Sequence, residues 1–144
     1  MEALSKALLS SQSTLFHLFW KTWVFHWNVV GPDFHQYHSL FNDQYNSMFE
    51  ELDRLSEHMR YLGIRVNGSL TDIQNATEIN DVVIQFSAEE MATILMNDNK
   101  KFITILEKAF DYANKQNLQA TANLLADLME SHGKNVWMLR SMLK

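Results

Sequence analysis

Helix breakers are scarce in this chain and fall in two places. One Pro and four Gly serve 144 residues. Gly31-Pro32 is the first strong stop, and Gly63 to Gly68 is the second. A many-turned β-sandwich needs more turn residues than this, whereas a few long helices need no more. Apolar residues make up 47% of the chain and charged residues 20%, which supports a packed core and argues against disorder. The length is that of about one domain, expected to span residues 1–144.

The spacing of apolar residues predicts four long helices. The first covers about residues 3–29, with Leu4, Leu8, Leu15, Leu18, Thr22, Phe25 and Val29 on or near one stripe. Asp33, with Gln36 three residues later, reads as a capping-box-like start for the second. That helix carries Leu40, Met48, Leu52, Leu55 and Met59 and stops at Gly63. Residues 63–86 hold no sustained period. They predict a crossover connection with room for one short helix near Asp72 to Glu78. Ser87-Ala-Glu-Glu90 matches a capping box and opens a third helix to about Ala113. A turn over 114–117 leads to a fourth, to about Leu143, with Leu125, Leu128, His132, Val136 and Leu139 on its stripe. Two short turns and one long link of this kind give an all-α, ferritin-like four-helix bundle with a long crossover between helices two and three.

The absence of Cys excludes disulfides, thiolate metal sites and cysteine nucleophiles. Net charge is −5, so the average surface repels nucleic acid and favours cations. The N-terminus lacks the basic and apolar regions of a secretory signal, and no stretch is apolar enough to span a membrane. A cytoplasmic protein is expected.

Metal-ligating residues are present, but not at the usual bundle spacing. A di-iron bundle uses Glu-x-x-His on two helices, and this chain has no Glu-x-x-His. Asp53 and Glu57 are four apart and share a helix face. His26 ends the first helix and His38 lies early in the second. Imidazole with carboxylate suits iron, zinc or manganese. Spacing alone equally allows a solvated acidic face paired with Arg54 and Arg60, and two hydrogen-bonded histidines.

A family resemblance shifts that balance. His26-Trp27, Gly31-Pro32-x-Phe34, His38 and Asp53-x-x-x-Glu57 resemble the signature of the Dps family, the DNA-protection-during-starvation miniferritins. Ser87-Ala-Glu-Glu-Met, Asn97-Asp98 and Val136-Trp137-Met138-Leu139 continue it over essentially the whole chain. The resemblance implies a hollow homododecamer with ferroxidase sites at two-fold interfaces. His26 and His38 of one subunit would face Asp53 and Glu57 of its neighbour. The implied activity is oxidation of Fe(II), preferably by hydrogen peroxide over dioxygen, with ferric mineral stored inside. Iron is the implied metal, with zinc or manganese able to take its place. Trp27 matches a tryptophan that the family places beside the iron, where it takes up stray oxidising equivalents.

There are departures from the family pattern. Asn42 stands where the family often has an acid that supports the site, which implies a weaker second iron position. Pore acids common on the last helix appear here as Asn123 and Gly133, with Asp127 and Glu130 as substitutes or as plain solvated acids. Gly133 inside a helix costs about 1 kcal/mol relative to Ala and reads as a point of close packing. His132 reads as a packed residue, and His17 and His58 have no evident partner. Trp20, Trp23 and several of the nine Phe exceed what one thin bundle needs and read as interface anchors or as core. Basic residues near either end are few, so direct DNA binding is not expected. The competing function classes are a non-enzymatic metal-sequestering or DNA-coating assembly and a monomeric partner-binding bundle.

Overall fold

The computed structural model describes residues 1–144, and all of its regular elements are helices. Helix α1 spans Glu2–Asn28 and α2 spans Phe34–Tyr61. The short α3 covers Leu70–Ala76, α4 Ala88–Lys115 and α5 Gln119–Met142. The pairs α1–α2 and α4–α5 pack along their lengths, α1 also lies against α4, and α3 lies against α1. This is the ferritin-like bundle, with an extra helix in the long link.

Local chemistry sets the boundaries. Ser87 and Glu90 form the full capping box, with Glu90 N–H donating to Ser87 Oγ (3.1 Å) and Ser87 N–H to Glu90 Oε1 (3.0 Å). The Ser87 backbone N–H, and after it the Ser87 hydroxyl, hold the Glu90 carboxyl below its usual range. Helix α2 starts differently from expectation. Asp33 is its N-cap residue but makes no side-chain cap bond. Its φ of −103° and ψ of 27° lie outside the extended region that lets a cap side chain reach forward. The short helix begins two residues earlier than expected because Ser69 Oγ accepts from Asp72 N–H at 3.0 Å and caps it there. Helices α2 and α4 end in paired bonds through a left-handed residue, Gly63 (φ 84°) and Asn117 (φ 58°). Within the chain a Cβ at Gly133 would meet nothing within 4 Å, so packing inside one bundle does not explain this glycine.

The core follows the expected stripes. Leu4, Leu8, Leu15, Leu18 and Phe25 of α1 are fully buried, as are Met48, Leu55 and Met59 of α2. Phe102, Leu106 and Ala109 of α4 and Leu125 and Leu139 of α5 complete it. Lys21 is also buried, and its Nζ meets Asp98 Oδ2 at 2.8 Å, tying α1 to α4. A buried ammonium is tolerable only with such a partner. No helix is long and apolar enough to cross a membrane.

Candidate metal centre

The turn between α1 and α2 brings His26 and His38 face to face. Gly31 (φ 123°) supplies a backbone conformation that side-chain-bearing residues rarely adopt, and the chain reverses there. The imidazole rings lie 3.7 Å apart between centroids, 15° from parallel. His26 Nδ1–H donates to the His38 backbone carbonyl at 2.8 Å, and His38 Nδ1–H to that of His26 at 2.8 Å. A carbonyl only accepts, so in both rings Nδ1 carries a proton. In the neutral rings, each Nε2 keeps a free lone pair. Donation of the far ring N–H to a carbonyl is also what orients metal-ligating histidines. His26 is buried and His38 half-buried. Phe34 stacks on His38 at 4.8 Å and Tyr45 stands edge-on to His26 at 5.2 Å.

The two carboxylates are elsewhere. His38 and Asp53 are fifteen residues apart on one helix, which is about 22 Å along its axis. Asp53 and Glu57 are both exposed. Asp53 lines a shallow depression with Phe49, Leu52 and Ser56. Neither acid is ion-paired within the chain. Arg54 turns instead to Asp127, Nη2 to Oδ2 at 3.1 Å. No three His, Asp or Glu side chains of one chain converge as a metal site. Asn42 lies one turn beyond His38, half-buried. Trp27 is 52% exposed, its ring 4.7 Å from that of Trp23.

The two substitute pore acids lie on the last helix beside one groove but differ in their contacts. Asp127 is engaged by Arg54. Glu130 lines a groove of about 530 Å³ between α2 and α5, with Asp43, Gln44, Ser47 and Lys134 among its neighbours.

Three of the other histidines, His17, His58 and His132, have partners that spacing did not show. His132 is fully buried. Asn99 donates its amide N–H to the Leu95 carbonyl (2.7 Å), which turns its Oδ1 toward His132 Nδ1 (2.7 Å) and Asn135 Nδ2 (3.3 Å). His132 Nε2 then meets Glu51 Oε1 at 2.8 Å, a contact that needs a proton between them. His17 Nδ1 meets Thr77 Oγ1 at 3.0 Å and His17 Nε2 meets Asp81 Oδ1 at 3.3 Å. His58 Nε2 lies 2.8 Å from Thr121 Oγ1. Burial lowers the pKa of both His17 and His58, and Arg54 adds to the effect at His58.

Comparison with known proteins agrees with this fold. The family model of the ferritin-like domain matches residues 5–144, so four long helices with this crossover define a ferritin-like protein. A DNA protection during starvation protein from Brevibacillus brevis is 31% identical over 120 residues, 83% of this chain and 80% of that protein. An uncharacterised low temperature-induced protein from Nostoc sp. is 35% identical over 126 residues, 86% of this chain and 70% of that one. The crystal structure of a Dps protein from Bacillus brevis superposes with a TM-score of 0.95 at 28% identity, covering 99% of this chain and 96% of that one. Within the ferritin-like proteins, then, the chain belongs to the Dps family.

Proposed function

We propose that this protein is a ferroxidase that oxidises Fe(II), preferably with hydrogen peroxide, and stores the ferric product inside a shell of twelve copies. The observation that carries the reading is the histidine pair. Two imidazoles with bonded Nδ1 atoms leave two Nε2 lone pairs side by side, and no carboxylate of the same chain is within reach. A second copy supplies what is missing. In a two-fold contact residue i meets j and j meets i. Setting His38 against the partner subunit's Asp53 puts the axis midway along α2, beside Tyr45 and Asn46. Phe49, 63% exposed, and Trp20, 42% exposed, flank that midpoint and would be covered by the second copy.

His26 and His38 would then hold Fe(II) as substrate through Nε2, with Asp53 and Glu57 of the partner subunit as the hard oxygen donors that favour Fe(III). Zinc or manganese would compete for the same donors. Two Fe(II) ions supply the two electrons that reduce one peroxide to water, so iron and peroxide are removed together. In this reading DNA is protected indirectly, in keeping with the names of the Dps relatives. Asn42 leaves the second iron position with one acid fewer. Of the two pore acids, Glu130 is the freer to pass iron inward, since Asp127 faces Arg54.

The test is complementation. Asp53→Ala/Glu57→Ala protein should assemble but lose rapid Fe(II) oxidation, and so should His26→Ala/His38→Ala protein. Reassembling the two together should restore about a quarter of the sites, because half the two-fold pairs are mixed and each mixed pair has one intact site of two. Full activity in either double variant would overturn the assignment. Assembled shells that take up Fe(II) without oxidising it would favour a sequestering role.

A further inference from the structure

We propose that Thr77, His17 and Asp81 form a hydrolytic site that cleaves small esters of apolar carboxylic acids through an acyl group carried on Thr77. The proposal goes beyond the ferroxidase reading and does not rest on it. Two stretches distant in sequence build the site. His17 stands on α1, Thr77 directly follows α3, and Asp81 lies four residues further along the crossover. His17 Nδ1 lies 3.0 Å from Thr77 Oγ1, and His17 Nε2 lies 3.3 Å from Asp81 Oδ1. A carboxylate only accepts, so Nε2 carries the proton and Nδ1 of the neutral ring accepts the Thr77 O–H. A hydroxyl bonded to an imidazole that a carboxylate orients is how an alcohol is activated as a nucleophile. The Ile79 N–H donates to the same hydroxyl oxygen at 3.4 Å, where it favours negative charge.

Both charge states suit the task. Burial holds the His17 pKa below its usual 6.5, against the pull of Asp81, so the ring is neutral at pH 7 and free to take a proton. The Val82 N–H, and after it the His17 side chain, hold the Asp81 carboxyl below its usual range. Lys21 on α1 and Asp98 on α4 are the other charges felt at His17, and they act in opposite directions. All three residues line one cavity of about 410 Å³. Phe16, Trp20, Ile73 and Ile79 give it an apolar wall, and Gln74 and Asn80 bring amide N–H groups of the kind that bind a carbonyl oxygen. A polar tie between α1 and the crossover needs the two hydrogen bonds but no such cavity beside them.

The steps balance. Thr77 Oγ1 bonds to the ester carbonyl carbon as its proton passes to His17 Nδ1. The carbon–oxygen bond to the alcohol breaks, and the alcohol leaves with that proton. Water then gives a proton to Nδ1 and adds its oxygen to the acyl carbon. The bond from that carbon to Thr77 breaks, Oγ1 takes the proton back, and a carboxylic acid is released. One ester and one water have become one acid and one alcohol, with nothing oxidised or reduced.

Hydrolysis of p-nitrophenyl butyrate tests the site. The full chain is used in the assembly it forms, because Trp20 also flanks the proposed two-fold contact. The rate should saturate with substrate and should fall as pH drops below 6.5 and His17 takes up a proton. Thr77→Val and His17→Gln should each lose about tenfold or more in kcat/KM, while Thr77→Ser should keep the activity. Asp81→Asn should lose less than either, since the Asp81 side chain is 82% exposed. A free imidazole also cleaves activated esters, and exposed His35 would do so in every variant. Hydrolysis undiminished in Thr77→Val, or no saturable hydrolysis by the wild type, would therefore overturn the proposal. A second measurement needs no variant to fold. Diethyl p-nitrophenyl phosphate should release p-nitrophenolate, and mass spectrometry of the wild-type peptides should place the diethylphosphoryl group on Thr77. A label found only on other residues, or no label, would overturn the assignment of Thr77.

Discussion

Gln44 is the most exposed to challenge of the single residues. It is 3% accessible on α2, and both polar atoms of its amide are buried without a hydrogen-bond partner. An unsatisfied buried polar group costs about 1–3 kcal/mol. Gln44→Met keeps the length and flexibility of the side chain and removes both polar atoms. The variant should melt above the wild type in a thermal scan of assembled protein. A lower melting temperature would mean that the amide bonds to something in the assembly. Gln44 lies between the buried Phe41 and Met48 on the same face of α2, and the apolar spacing did not mark it. The histidine pair was legible only as a spacing of twelve. Its stacked rings and reciprocal Nδ1–H bonds depend on how the Gly31 turn lays α2 against α1, which one-dimensional spacing does not contain.

At the scale of elements, the crossover is stitched to α1 by polar contacts. Gln12 Nε2 donates to the Asn67 carbonyl at 3.2 Å, Asn67 Nδ2 to Ser13 Oγ at 2.9 Å, and Glu78 N–H to Thr14 Oγ1 at 3.1 Å. His17 closes the row through Thr77 and Asp81. Burial holds the His17 pKa below its usual 6.5, although the Asp81 carboxylate opposes this. The unfolded chain therefore binds a proton at His17 at a higher pH than the folded one does. Stability should rise with pH across this range, and be lost as pH falls from 6.5 through the lower folded value. His58, also lowered, acts in the same direction. The melting temperature should fall from pH 7 to pH 5, and His17→Gln, which keeps a polar partner for Thr77 but does not titrate, should flatten that fall. An equal slope in the variant would place the titration elsewhere.

Over the whole molecule, charge sets the expectation for DNA. Net charge is −5 per chain, so the proposed shell of twelve copies would carry about −60, a field opposed to phosphate. Lys21, one of the twelve Lys and Arg, is neutralised by Asp98 inside the bundle and offers nothing to a phosphate. The expected outcome is no stable plasmid retardation in a gel-shift titration at neutral pH and about 0.15 M salt, without divalent metal. Retardation at micromolar shell would reveal a basic surface that net charge conceals.

By itself the sequence determined the helices and their stripes. The periodicity of Leu4 to Val29 and of Leu125 to Leu139 is local information, and the residues it picks out are the buried ones. The Ser87–Glu90 capping box was readable for the same reason, because its partners lie three residues apart. Tertiary structure alone decided which partners the buried polar residues meet. Lys21 looks like an interruption of an apolar run until Asp98, 77 residues away, closes on it. The Ser10 to Thr14 run looks like a weak helix until the crossover binds it. His132 acquires Glu51 and Asn99 in the same way. Apolar burial follows from the residue's own chemistry and the helix period, whereas a buried polar group is stable only with a partner, and the partner's distance along the chain is set by the fold.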